Sequence, residues 1–256
     1  MPSLTLPDRS LDGRVAVVTG ATGGLGERFA RVLHAAGATV VVGGRRVARL
    51  SELADELGDR IIPVECDVTS ESDCDRIIGT AVAVSGNVDI LVNNAGTGDV
   101  VPAEDEDIDL FRQVIEVNLV GLFTMCQRAG RVMLAQGSGS IVNIASSLGL
   151  VASSPINQAG YCASKGGVVN LTRELAAQWG SRGVRVNALA PGWFPSEMTG
   201  GMLDDPKAMS FVERGTPVRR FGAQHELDGA LLFLASDEST YVIGQTLQVD
   251  GGWTIR

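Results

Sequence analysis

The 256-residue chain predicts an α/β fold: a doubly wound parallel sheet of seven strands with helices on both faces. Three observations predict it. Short apolar, β-branched runs alternate with longer segments of helical spacing, the order of a parallel sheet with crossover helices. The first such run leads at once into a glycine-rich turn, Gly20-Ala-Thr-Gly-Gly-Leu-Gly26, and then a helical pattern. No linker, charge block, repeat or low-complexity stretch divides the chain, so residues 13–256 read as a single domain behind an N-terminal extension at 1–12.

In order, a strand at 14–19 precedes the glycine turn and a helix to Ala36, where Leu25, Phe29, Val32 and Leu33 recur at helical spacing and Gly37 supplies the C-cap. A strand at 39–42 runs into Gly43-Gly44-Arg45-Arg46 and a helix at 47–57, closed by Gly58. Then follow a strand at 61–65, a helix at 70–84, a strand at 88–92, a long helix at 108–136, a strand at 140–145, a helix at 161–179 and a strand at 184–189. Residues 191–222 show no regular period, and a helix at 225–235 and a strand at 246–249 end the chain. In such sheets ligands bind beyond the carboxyl ends of the strands. The segments there are Gly20 to Gly26, Gly43 to Arg46, Cys66-Asp67-Val68, Asn93-Asn94-Ala95-Gly96, Ser146-Ser147 and Pro191-Gly192, and they are expected to converge on one crevice.

Composition excludes several classes. With 45% hydrophobic and 20% charged residues there is material for a sizeable core. A net charge of −9 argues against a surface that tracks phosphates of a nucleic acid, and the one dense basic spot, Arg45-Arg46, is too small for a duplex. No apolar signal core or membrane-length run is present, so a soluble, cytoplasmic protein without a membrane partner is expected. Cys66, Cys74, Cys126 and Cys162 lack CxxC or ligand spacing and read as reduced thiols; His34 and His225 lie far apart in sequence. Zinc chemistry and a Ser-His-Asp hydrolase are both disfavoured. The acids Asp99, Glu104, Asp105, Glu106, Asp107 and Asp109 suit a solvated helix N-terminus rather than a metal site.

The glycine turn suits a phosphate because backbone N–H groups can approach it and the helix N-terminus adds partial positive charge. Its glycines, Gly20, Gly24 and Gly26, depart from the GxGxxG spacing, and a tight connection alone would use them too; its place between the first strand and first helix favours a nucleotide, with Thr22 and Leu25 inside the turn as further contacts. The second strand ends without an acid for a ribose 2′-hydroxyl. Gly43 and Gly44 leave room while Arg45 and Arg46 bring charge, so NADP(H) is preferred and NAD(H) possible, the alternative being a solvated basic helix start. Asp67, followed by Val68, would either accept from an adenine amino group or cap the next helix. Asn94, Ala95 and Gly96 permit close backbone approach, although an ordinary turn would use the same residues. Tyr161 and Lys165, four apart, share a helix face. A phenol with a pKa of about 10 becomes a useful base only if a neighbouring cation favours phenolate, and solvated helices also carry such pairs.

Together, Thr19-Gly20-x-x-x-Gly24-x-Gly26, Asn93-Asn94-Ala95-Gly96, Asn118, a serine after the fifth strand, Tyr161-x-x-x-Lys165, Pro191-Gly192 and Val249-Asp250-Gly251-Gly252 resemble the short-chain dehydrogenase/reductase family over essentially the whole chain. The resemblance implies a Rossmann-type sheet and hydride transfer between nicotinamide and a carbonyl or secondary alcohol. It implies Tyr161 as acid/base, Lys165 as the group that lowers its pKa and holds the nicotinamide ribose, and Ser146 as the group that orients the substrate oxygen. Asn118 would hold a water of a proton relay, and Ser196 stands near the cofactor's carboxamide where the family usually has threonine. A homotetramer or homodimer is implied as well.

The segment from Ser146 to Tyr161 is about two residues longer than the usual family spacing, which makes Ser147 a rival; Ser146 is preferred because a strand fixes its own end. Residues 192–222 form a candidate substrate lid, with Trp193, Met202, Met209 and Phe211 as apolar cover or as core beneath a loop. Resemblance of 191–199 to sugar-acid dehydrogenases suggests a small polar sugar acid, polyol or ketose. A 3-oxoacyl thioester reductase and a catalytically silent nucleotide-binding scaffold are the alternatives.

Overall fold

The computed structural model describes residues 10–98 and 100–255. Seven strands, β1 (Val15–Thr19), β2 (Thr39–Gly44), β3 (Ile61–Glu65), β4 (Ile90–Asn93), β5 (Gly139–Ile144), β6 (Val184–Pro191) and β7 (Thr246–Val249), form one sheet in the order β3-β2-β1-β4-β5-β6-β7. Every pairing is parallel. Because the order reverses between β1 and β4, their following loops part and open a crevice at the carboxyl ends.

The inner strands are buried on both faces because helices cover each face, whereas the edge strands β3 and β7 expose Glu65 and Gln248. Val15 and Val17 of β1 pack with α3 (Glu71–Ser85), α5 (Leu122–Gln136) and α6 (Ala159–Trp179), through Ile77, Met125 and Val168 among others. Ala16 and Val18 point the other way, toward Phe29 and Leu33 of α1 (Gly24–Ala35), Leu50 of α2 (Val47–Leu57) and Leu231 of α9 (Asp228–Ala235). A third cluster joins Trp193, Val212, Phe221 and Trp253 beneath residues 193–222. No helix among the described residues is long and apolar enough to cross a membrane.

Several boundaries differ from the sequence reading. The helix expected over 108–136 is α4 (Ile108–Ile115), one π-helical stretch at Glu116–Gly121, and then α5. The stretch expected to be irregular holds α7 (Gly200–Leu203) and α8 (Pro206–Gly215), the latter capped by Asp205, which accepts from Lys207 N–H at 2.9 Å. The helix expected from 225 opens as a 3-10 turn, Gln224–Leu227, and α6 starts two residues before Tyr161. Most of the 1–12 extension lies outside the described residues, but Leu11 is 2% exposed within the core and donates its N–H to the Ala36 carbonyl at 2.7 Å. Asp99 also lies outside the described residues; Asp107 caps α4, accepting from Asp109 N–H at 2.7 Å, and Asp109 pairs with Arg112.

The π stretch meets the sheet edge where Gly121 faces Val68. A Cβ there would lie 2.8 Å from both Val68 Cγ2 and its carbonyl oxygen. Gly121→Val should therefore cost about 1–3 kcal/mol through overpacking, read as a fall of several degrees in Tm; an unchanged Tm would show that the contact can yield freely.

Candidate active site

The switch point is a clasp between β1 and β4. Thr19 Oγ1 accepts from the N–H groups of Asn94 and Ala95, each at 3.1 Å, and the Asn94 amide donates back to the carbonyls of Thr19 and Gly20, each at 3.1 Å. Such closeness excludes side chains. A Cβ on Gly20, whose φ is +66°, would stand 2.8 Å from Ala95 Cα, and one on Gly26 would stand 2.2 Å from the Gly20 carbonyl oxygen. The turn thus brings bare backbone to the N-terminus of α1, as a phosphate cradle requires.

From this turn a cleft of about 750 Å³ extends to Tyr161. Gly20, Thr22, Gly24, Leu25, Arg45, Arg46, Asp67, Val68, Asn94, Ala95, Gly96, Ser146, Tyr161, Lys165, Pro191, Gly192 and Ser196 all line it. Two expected residues do not. Gly26 packs behind the turn, and Asn118 is fully buried behind Thr97.

Asn118 Oδ1 accepts from Thr97 N–H at 2.8 Å, while its amide donates to Thr97 O at 2.8 Å and Ser164 Oγ at 3.0 Å. Both amide hydrogens are spent, so the side chain clamps the loop after β4 to α6. Ser164 in turn donates to the Tyr161 carbonyl at 2.7 Å. The π stretch brings Asn118 into this position, in keeping with the frequency of π-bulges at functional sites.

Tyr161 and Lys165 lie on one face of the first turns of α6. The Lys165 ammonium, 4% exposed, donates to the Ile144 carbonyl at 2.8 Å and sits 5.7 Å from the centre of the Tyr161 ring. Burial lowers its pKa to about 8, so it is charged at neutral pH. Burial also raises the Tyr161 pKa, and a hydrogen bond from Ser146 only partly offsets this. The net direction for the phenol is upward, with loss of solvation as its largest cause. The ammonium gives one of its three hydrogens to Ile144 and stands 5.7 Å from the ring centre.

Ser146, extended just past the end of β5, lines the cleft with Tyr161 and acts to lower the Tyr161 pKa against the effect of burial. Its Oγ also accepts from Leu148 N–H at 3.1 Å, and Ser147 turns into the following 3-10 helix. Gly149 lets that turn press on α6, since a Cβ there would lie 2.7 Å from the Lys165 carbonyl carbon and oxygen.

Other expected roles change with their contacts. Asp67 does not cap α3: Ser70 does, accepting from Asp73 N–H at 3.3 Å, whereas Asp67 Oδ1 accepts from the N–H and hydroxyl of Thr69. Arg45 is exposed and makes no ion pair among the described residues, but Arg46 is bound by Glu197 and Thr22. Pro191 and Gly192 are fixed from behind, as Gly192 N–H donates to Val249 O at 3.0 Å and its α-carbon packs on Asp250. Ser196 shares its hydroxyl with Thr199, and Met209 and Phe211 lie under the lid segment rather than over the cleft. Thr97, Ser164 and Glu197 carry contacts that the sequence reading did not assign, and Thr19, quoted there only as part of the glycine motif, proves to be the clasp residue. Of the first three, Ser164 alone had a position in the sequence, between Tyr161 and Lys165, that suggested a role.

Comparison with known proteins settles the ancestry. The family model described as enoyl-(acyl carrier protein) reductase matches residues 20–254. The chain belongs to the short-chain dehydrogenase/reductase family. It is 42% identical over 246 residues to galactitol 2-dehydrogenase (L-tagatose-forming) of Cereibacter sphaeroides, covering 96% of each chain. It is 38% identical to a 3-oxoacyl-[acyl-carrier-protein] reductase of Rickettsia bellii, covering 94% of this chain and 97% of that one. Among solved structures it is similar to a gluconate 5-dehydrogenase from Burkholderia cenocepacia in complex with NADP and tartrate, with TM-score 0.91, 37% identity and 98% of each chain covered. Like other members acting on alcohol groups, this chain is an oxidoreductase of the family.

The buried ammonium makes a pH prediction. Lys165 folded binds fewer protons than Lys165 unfolded between about 8 and its ordinary 10.5, so the burial cost is fully present below the lower value and is relieved as pH rises toward the higher. Wild-type stability relative to Lys165→Met, from urea unfolding, should therefore rise between about pH 7 and 10. A difference that stays flat would rule out a buried charge.

Proposed function

We propose an NADP(H)-dependent oxidoreductase that transfers a hydride between nicotinamide and a ketone or secondary alcohol, acting on a small polar polyol, ketose or sugar acid. One observation carries it: Ser146 and Tyr161 line the same end of a cleft with the buried Lys165 ammonium 5.7 Å from the phenol ring centre, and the cleft begins at a glycine cradle and at Arg45, which has no ion pair among the described residues. The polyol or sugar-acid class is supported by the names of the similar dehydrogenases and by polar groups among the lining, such as Gln113, Gln158 and Thr199. Exposed Val120 and Phe123 on the helix after β4 support a homo-oligomer.

When bound, the nicotinamide supplies the hydride or accepts it. The backbone of 20–26 at the α1 N-terminus would hold the pyrophosphate, and Arg45 and Arg46 together would meet the 2′-phosphate. Asp67 and Val68 flank the adenine, while Asn94, Ala95, Gly96, Pro191, Gly192 and Ser196 border the nicotinamide half. Ser146 donates to the substrate oxygen and fixes it beside Tyr161. The Tyr161 hydroxyl then exchanges the proton. In reduction the neutral phenol gives its proton to the developing alkoxide, and in oxidation the same oxygen takes it back. Lys165 stabilises the resulting phenolate and holds ribose hydroxyls. Asn118 keeps Thr97 and Ser164 in register behind them.

The 3-oxoacyl thioester reading is favoured by one similar reductase. A net charge of −9 opposes docking of an acidic carrier, however. A silent scaffold would have no use for Ser146, Tyr161 and a buried Lys165 gathered at one end of the cleft.

NADPH oxidation measured against ketoses, keto acids, 3-oxoacyl thioesters and hydrophobic ketones should give its highest kcat/KM with a ketose or keto acid; a thioester maximum would transfer the assignment to the rival. Tyr161→Phe and Ser146→Ala should each lower turnover by about 10²–10⁴ with NADPH binding nearly intact, whereas Ser147→Ala should remain close to wild type. Turnover unaffected by Tyr161→Phe would refute the mechanism. Arg45→Ala should weaken NADPH by roughly tenfold or more relative to NADH, and equal losses would remove Arg45 from the 2′-phosphate site.

A further inference from the structure

Arg46 is held from two sides. Its Nη1 and Nη2 donate to the two carboxylate oxygens of Glu197 at 2.8 and 3.0 Å. Its Nε and Nη2 donate to Thr22 Oγ1 at 3.1 and 2.9 Å, and Nη2 reaches the Thr22 carbonyl at 3.3 Å. The two ends of the ion pair are 151 residues apart in sequence, one at the exit of β2 and the other in the segment after β6. The pair lies directly on the glycine turn, because a Cβ on Gly23 would stand 2.7 Å from Glu197 Oε1 and 3.4 Å from Arg46 Nη2.

A carboxylate gripped by both arms of a guanidinium occupies the donors that would otherwise take two oxygens of a phosphate. We infer that Glu197 is an internal competitor for the 2′-phosphate of NADP(H) at Arg46, so that seating this phosphate and releasing the Glu197 side chain are a single exchange. The inference rests on the NADP(H) reading above. The exchange is favourable in charge: a phosphate dianion replaces a carboxylate, and the Thr22 contacts keep the guanidinium in place when Glu197 leaves. With side-chain exposures of 51% and 64%, the ion pair retains Arg46 by no more than roughly fivefold. NAD(H), which carries a hydroxyl at that position, has no means to displace Glu197.

The side chain released is not remote from chemistry. Beside Glu197, Met198 reaches toward the acid/base, since a Cβ on Gly98 would meet Tyr161 Cδ2 at 3.0 Å and Met198 Cε at 3.2 Å. Glu197 therefore discounts NADP(H) affinity from a position next to Met198.

Fluorescence titration with NADPH and with NADH tests this on wild type, Glu197→Gln, Arg46→Ala and the double variant. Glu197→Gln should tighten NADPH by roughly twofold to fivefold and leave NADH nearly unchanged. The NADPH gain should vanish in the Arg46→Ala background and shrink in wild-type buffer raised to high salt, where the ion pair is already weakened. Equal gains for both dinucleotides, no gain for NADPH, or a gain that survives without Arg46 would each overturn the competition. A wild-type protein that binds neither dinucleotide would instead overturn the cofactor reading beneath it.

Discussion

The close approach of β1 and β4 at their carboxyl ends is the constraint on which the rest of the site depends. Two strands whose following loops diverge would ordinarily leave unpaired backbone at the split. Here Thr19 and Asn94 satisfy it reciprocally, with side chains serving as hydrogen-bond partners for the neighbouring main chain. The crevice can then open without orphaned groups. The absence of Cβ atoms at Gly20 and Gly26 follows from the same geometry, and so does the bare N-terminus of α1.

At the other end of the cleft, desolvation is the dominant force. It raises the Tyr161 pKa and lowers that of Lys165, so the pair sits with a neutral phenol and a weakly held ammonium. The cost of burying that ammonium is limited by the Ile144 carbonyl, which belongs to the strand end that also presents Ser146. Strand β5 therefore fixes both the hydroxyl above the phenol and the partner of the cation beneath it. Asn118 and Ser164 add stiffness by linking the loop after β4 to the first turn of α6.

Much of this was legible in the sequence because it is written locally. Strand positions, the glycine turn, Tyr161 with Lys165 and the choice of Ser146 depend on periodicity or on short spacings. The missed features depend on contacts that sequence order does not encode. The π stretch at Glu116–Gly121 leaves no periodic trace, since Asn118 is held by Thr97 and Ser164 rather than by its own helix. The Arg46–Glu197 pair spans 151 residues, so two charges read separately gave a freer basic patch than exists. Helix α8 is a different case: Asp205-Pro206 is a proper start signal and Ala208, Met209 and Val212 follow at helical spacing, so this helix was legible within the stretch expected to be irregular.

The aromatic cluster under the lid has a consequence for how such proteins change their diet. Trp193, from the segment that borders the cleft, stacks edge-on against Trp253 at 5.4 Å, and Phe211 closes the triangle at 6.0 and 5.3 Å. Gly215 has no room for a Cβ beside the Trp253 ring. The last residues of the chain are thus the floor on which the cleft's cover rests. A transplant of residues 193–222 from a relative with other tastes would land on a foreign floor, so cover and tail form one heritable module that has to be exchanged as a unit.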